Sequence, residues 1–73
     1  MVGKYTTEKT TRILRAAMAL EKVTGAEIGR NLKINRSSVN GVINGQSKSR
    51  RVRRALAERF NFKVTDLWPE EML

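Results

Sequence analysis

Thr24 to Gly45 reads TGAEIGRNLKINRSSVNGVING, and its punctuation predicts two short helices joined by a tight turn. Thr24-Gly25-Ala26-Glu27 is a capping box: the Thr24 hydroxyl can accept from the Glu27 amide while the Glu27 carboxylate reaches back to the Thr24 amide. Val23, just before it, is placed to meet Ile28 as a hydrophobic staple that sets the angle at which the chain enters the helix. One helix therefore starts near Gly25. The device recurs in weaker form downstream, with Asn35 as N-cap and Ile34 facing Val39, so a second helix starts near Arg36. Asn44-Gly45 ends it, because a glycine just past Val42 and Ile43 supplies the left-handed residue that closes a helix. A hairpin at Asn-Gly would need alternating apolar flanks, which Gln46-Ser47-Lys48 does not provide.

Ile28, Leu32, Ile34, Val39, Val42 and Ile43 fall at spacings that give each helix one apolar stripe, the two facing each other across the turn. Gly29 lies inside the first helix, where glycine costs about 0.5–1 kcal/mol against alanine, so a compensating close approach of the second helix is expected. The polar set left on the second helix is Arg36, Ser37, Ser38, Asn40 and Asn44. Such side chains supply the donors and acceptors that read base edges and phosphates in a major groove. Ser37 and Ser38 also have a plain reading as helix-start residues. Asn40 is mid-helix and a poor helix former, so a contact outside the helix explains it better. Gly41 beside it fits either a close backbone approach or tolerance of packing.

This spacing resembles the helix-turn-helix of lambda-repressor-like (Xre/Cro) regulators, in which a small residue, a turn residue, a β-branched residue and a closing Asn-Gly fall as Gly29, Lys33, Val39 and Asn44-Gly45 do. The likeness extends to RALAERFNFKVTDLWP (54–69), similar to the last helices of that family, and the Leu-Trp-Pro at 67–69 is similar to small phage regulators of the Ner type. The resemblance implies an all-α, compact bundle of four to five short helices whose third enters the major groove. It also implies Arg36, Ser37, Asn40 and Asn44 at base- and phosphate-contacting positions. Lys33 stands where the family usually has glycine, and a left-handed lysine costs about 1–2 kcal/mol. Gly25 stands where the family often has glutamine, so the contact usually made there does not carry over.

Seventy-three residues make one domain with a limited core, and the absence of Cys and His excludes disulfides and Cys/His zinc sites. The longest apolar run, Ala16 to Leu20, is far below the ~20 residues needed to span a bilayer, and no hydrophobic signal region opens the chain. A cytoplasmic, nucleoid-associated protein in a bacterial cell is expected. The net charge is +8, from 15 basic and 7 acidic residues, and an anionic partner is its simplest explanation. Without histidine, thiol, phosphate-cradling glycine loop or paired inward carboxylates, catalysis is not expected, nor is any cofactor, metal or small-molecule ligand. Glu58, Glu70 and Glu71 read as surface residues.

Lys48, Arg50, Arg51, Arg53 and Arg54 crowd one short stretch, and with Ser49 as N-cap the arginines fill the first turns of the following helix. Cations there oppose the helix macrodipole by about 0.3–1 kcal/mol each. Nothing in fold stability asks for that placement, whereas a docked phosphate would turn the penalty into attraction. Arg30, Ser38, Lys48, Arg50, Arg51 and Arg54 are thus the candidate phosphate contacts. A solvated charged face and a basic amphipathic helix for a membrane or partner are the alternatives, though Val52, Leu56 and Phe60 look committed to the core.

Thr6 or Thr7 can cap a first helix with Ile13, Ala17 and Leu20 inward and Arg12 and Arg15 on its surface. Residues 1–5 read as a flexible arm, in which Lys4 and Tyr5 could touch a backbone, and 69–73 as a C-terminal tail. Asn61 suits the end of the basic helix, and Val64 to Trp68 suggest a last helical turn stopped by Pro69. Trp68 is a dimer contact, a partner site or the plug of the bundle's open end, large aromatics being mostly buried. Three functional classes follow: a sequence-specific regulator of double-stranded DNA, alone or as a homodimer on paired half-sites; a DNA-bending or excisionase-like accessory protein; and an antitoxin-type module docking through its 68–73 tail.

Overall fold

Thr7 opens the first helix, its hydroxyl accepting from the Thr10 amide, and the chain then forms α1 (Glu8–Glu21), α2 (Gly25–Leu32), α3 (Arg36–Ile43), α4 (Arg50–Arg59) and α5 (Val64–Leu67), followed by a 3-10 turn at Pro69–Glu71. The computed structural model describes residues 3–71, and no strand forms among them. The Cα radius of gyration is 10.9 Å, against about 11 Å expected of a compact chain of this length. The fold is all-α and compact.

Helix ends follow one rule. After α1, α2, α3 and α4 the chain enters the left-handed region at Lys22, Lys33, Gly45 and Asn61. The amides of that residue and the next turn back to the helix, as when Lys33 donates to Arg30 O and Ile34 to Gly29 O. Gly45 and Asn61 suit this geometry, while the lysines hold it because two backbone bonds and an apolar residue behind them offset the strain. Val23 and Ile34, the residues after Lys22 and Lys33, pack on the core.

Expected caps form with two differences. Thr24 accepts from the Glu27 amide, but the reciprocal half of the box is not made, and Asn35 holds the N-cap position of α3 without a side-chain bond. Gly29 accounts for the helix pairing as expected: a β-carbon there would lie 2.8 Å from Ile34 O and 3.3 Å from Arg36 Cα. Lacking one, α2 lets the start of α3 come directly against it.

The first helix is rotated from its expected setting. Leu14 is fully buried, with Thr10 and Thr11 on the same inward face, while Ile13 and Ala17 are half-buried and Leu20 is 84% exposed. Leu20 lies six residues from Leu14, about 240° round the helix at 3.6 residues per turn. The threonines win the inner face because they have acceptors to meet there. Thr6 Oγ1 donates to Val42 O at 2.8 Å, Thr11 Oγ1 to Ile43 O at 2.6 Å, and Thr10 Oγ1 to Leu67 O at 2.7 Å.

The N-terminal segment is not a loose arm over the part described. Gly3 N donates to Asn44 O and Tyr5 N to Gly45 O, and a β-carbon on Gly3 would run into the Gly45 carbonyl. Met1 and Val2 lie outside the described residues.

At the other end Trp68 is 1% exposed and its indole donates to Thr6 Oγ1 at 3.0 Å, so it plugs the bundle. α5 ends just before Pro69, as expected, and Pro69 starts the 3-10 turn, which brings Glu71 inside, 8% exposed rather than on the surface. Glu71 meets Arg53, itself wholly buried: Arg53 donates to Glu71 at 2.6 Å and to Tyr5 O at 2.6 Å, lies 3.0 Å from Glu70, and stacks 5.2 Å from the Trp68 ring. One guanidinium thus ties together residue 5, α4 and the last turn. Only Met72 and Leu73 of the expected 69–73 tail are outside the described residues.

Two outcomes measure these devices by urea denaturation. Gly45→Ala, at φ +82° with a β-carbon 2.6 Å from Gly3 O, should cost at least about 2 kcal/mol. Glu71→Ala, which strips Arg53 of its buried partner, should cost about 3 kcal/mol, whereas Arg12→Ala, which breaks only the exposed pair to Glu8, should cost under about 1 kcal/mol.

Candidate nucleic-acid interface

α3 is divided sharply between its two sides. Val39 and Val42 are fully buried and Ile43 nearly so, while Arg36, Ser37, Ser38 and Asn40 are all exposed and Asn44 is half-buried at the end. The apolar residues take the side facing α1, α2 and α4, leaving every polar group of the helix outward. The expected base-contacting residues therefore share one solvent-facing surface on a rigid element.

Each is set differently. Arg36 and Ser37 stand in the first turn, held against α2 by the close approach at Gly29. Asn40 lies over Gly25, the bare first residue of α2. Asn44 is fixed by Arg15, which donates to its Oδ1 at 2.6 Å. Arg15, Met18, Asn40, Ile43 and Asn44 line a shallow open depression of about 270 Å³ between α1 and α3. In the sequence Arg15 is only a surface residue of a packing helix. A contact across 29 residues leaves no local signal, and a basic residue two turns before the end of α1 was the one available hint. No neighbouring backbone approaches Gly41: a β-carbon there would meet only the Ser47 side chain, with Oγ at 3.2 Å and Cβ at 3.9 Å.

The basic cluster does not act as one block. Ser49 caps α4 as expected, accepting from the Val52 amide, and Val52, Leu56 and Phe60 are buried. The same 3.6-residue period carries Arg53 inward, away from any surface ligand. Arg50 is mostly exposed but its Nε lies 3.3 Å from Glu71. Arg51 donates at 2.8 Å to Leu32 O, the last carbonyl of α2, where a cation complements the helix dipole. Lys48 and Arg54 are exposed. Fold stability thus does account for part of the arginine run: two carboxylates, Glu70 and Glu71, and two carbonyls, of Leu32 and Tyr5, face it. Arg50, Arg51 and Arg54 nevertheless share an open groove of about 520 Å³ with Leu32, Ala55 and Glu58, and this is where the cluster keeps positive charge at the surface.

The remaining phosphate candidates, Arg30 on α2 and Ser38 on α3, are exposed. Among the described residues Arg30, Arg36, Lys48 and Arg54 have no carboxylate within ion-pair distance, because the ion pairs are used by Arg12, Arg50, Arg53 and Arg59. Lys4, Lys9, Arg15, Lys22, Lys33, Arg51 and Lys63 have none either, so unpaired positive charge is not confined to the candidates. No helix among the described residues is long and apolar enough to cross a membrane, and none of their acidic groups cluster as a metal site would require. No family model, curated protein or solved structure matches the chain.

Arginines with and without protein partners should separate in stability. Arg54→Ala should leave the urea midpoint unchanged within about 0.5 kcal/mol, while Arg51→Ala, which frees the end of α2, should cost about 1 kcal/mol.

Proposed function

We propose that this protein binds double-stranded DNA sequence-specifically and regulates transcription by occupying an operator, with α2 and α3 working as a helix-turn-helix and α3 laid in the major groove. The observation that carries this is the face of α3: Arg36, Ser37, Ser38 and Asn40 exposed together over a fully buried Val39 and Val42. An eight-residue helix is about 12 Å long and 10–12 Å across with its side chains, a size the major groove admits. Arg36 suits the paired acceptors of guanine, and Asn40 the donor–acceptor pair of adenine. Ser37 and Asn44 complete the base-facing set, Arg15 holding the latter in place. Arg30, Ser38, Lys48, Arg50, Arg51 and Arg54 would serve as phosphate contacts, which fix register without reading sequence. Arg50 and Arg51 serve both the fold and the backbone.

The lambda-repressor-like resemblance supports the same role, that of a phage or bacterial repressor acting in the cytoplasm, and a homodimer would place its second α3 about 34 Å away on a paired half-site. A module docking through the 68–73 tail has less to offer. Trp68 and Glu71, the groups such docking would use, are already buried within the chain.

Selection from a random duplex library should return a consensus bound on the order of 10³-fold more tightly than scrambled DNA. On that duplex Asn40→Ala should lose about 1–3 kcal/mol and leave scrambled DNA unaffected, whereas Lys48→Ala should weaken both alike and flatten the log–log salt slope by about 0.9. Equal losses on both duplexes for Asn40→Ala would remove it as a base contact. Absence of any consensus would leave a sequence-blind architectural protein.

A further inference from the structure

Gly25 begins α2, and the space left by its missing side chain is filled from α3. The three heavy atoms nearest to a β-carbon built there all belong to the Asn40 carboxamide: Oδ1 at 2.6 Å, Cγ at 3.3 Å and Nδ2 at 3.5 Å. Gly29 and Gly45 are different, since a β-carbon at either meets backbone, and Gly45 also needs its positive φ. Gly25 has no such φ, so alanine fits its backbone. What stands in the way is the tip of one side chain. Glycine costs more than alanine in a helix, and the fold itself supplies no reason to keep it at this position.

The Asn40 carboxamide makes no hydrogen bond to the protein among the described residues, so packing against Gly25 is what orients it. An asparagine that reads adenine must present oxygen and nitrogen together to two base atoms, within the narrow distance and angle limits of a hydrogen bond. A β-carbon at residue 25 would push the carboxamide off α2. The open depression beside it, bounded by Arg15, Met18 and Asn44, gives it room to move without disturbing the core. We infer that Gly25 is a specificity-positioning residue: its bare Cα holds the Asn40 carboxamide against the start of α2 and so determines which base edge Asn40 meets. This rests on the DNA-reading role proposed above for α3.

The test compares wild type, Gly25→Ala, Asn40→Ala and the double variant. Gly25→Ala should fold with an equal or higher Tm, and the side-chain amide resonances of Asn40 should move in the free protein. The consensus it selects from random duplexes should change at the base pair that Asn40→Ala also changes, with affinity for the wild-type consensus down about tenfold. In the Asn40→Ala background, Gly25→Ala should then alter that affinity less than about twofold. An unfolded Gly25→Ala, unmoved Asn40 resonances, an unchanged consensus, or an equal loss in the absence of Asn40 would each overturn the inference alone. A wild-type chain that selects no consensus would overturn the DNA reading and this inference with it.

Discussion

The carbonyl end of α3 is the constraint on which the rest of the molecule is built. A helix leaves its last four carbonyls without intrahelical partners, and buried ones cost about 1–3 kcal/mol each if nothing meets them. Here Asn44 N donates to Asn40 O, Gln46 N to Gly41 O, Gly45 N and Thr6 Oγ1 to Val42 O, and Thr11 Oγ1 to Ile43 O. Gly3 and Tyr5 then take the next two carbonyls, those of Asn44 and Gly45. The N-terminal segment is wrapped round the end of α3, and this explains why α1 turns its threonines inward and leaves Leu20 in solvent. Trp68 joins through Thr6, and Arg53 joins through Tyr5 O, so the last turn of the chain is drawn to the same place.

Satisfying α3 from behind is what frees its front. With the apolar side packed on the core and the C-terminal carbonyls taken by backbone and threonines, no polar side chain of Arg36, Ser37, Ser38 or Asn40 is needed to hold the helix. Four of the seven acidic residues are spent in a similar way. Glu70 and Glu71 neutralise Arg53 and part of Arg50, Glu21 meets Arg59, and Glu8 meets Arg12. Arg30, Arg36, Lys48 and Arg54 are among the cations left without a carboxylate partner within the described residues, as are Lys4, Lys9, Arg15, Lys22, Lys33, Arg51 and Lys63. Structural and surface arginines come from one run of sequence, separated by the helical period alone.

Much of this was legible in the sequence where the signal is local. Thr24, Ser49 and Asn44-Gly45 mark helix ends through their own chemistry, and the stripes Val39-Val42-Ile43 and Val52-Leu56-Phe60 mark buried faces through spacing. Gly29 announced a close approach because glycine inside a helix is otherwise unfavourable. What escaped depends on partners distant in the chain. Thr6, Thr10 and Thr11 look like helix-start residues until their acceptors, 32 to 57 residues away, are known. Arg53 looks like one more surface cation until Glu71 folds back on it. Extrapolating Ile13 to Leu20 failed for the same reason, since hydrophobic spacing cannot register that hydroxyls have the stronger claim to the inner face. Of the candidate interface, the α3 residues were readable as a set, while Arg15 and the division of the basic run were not.

The outward face of α3 is the surface we propose meets DNA. The most direct measurement is an NMR titration of isotope-labelled protein with its tightest-binding duplex. The perturbed resonances should centre on residues 36–44, including the Asn40 and Asn44 carboxamides, and extend to Lys48 and the first turn of α4, with the exposed Leu20 end of α1 unaffected. Perturbations centred on Leu20 or on the 69–71 turn, with α3 unmoved, would rule out α3 as the DNA-contacting surface.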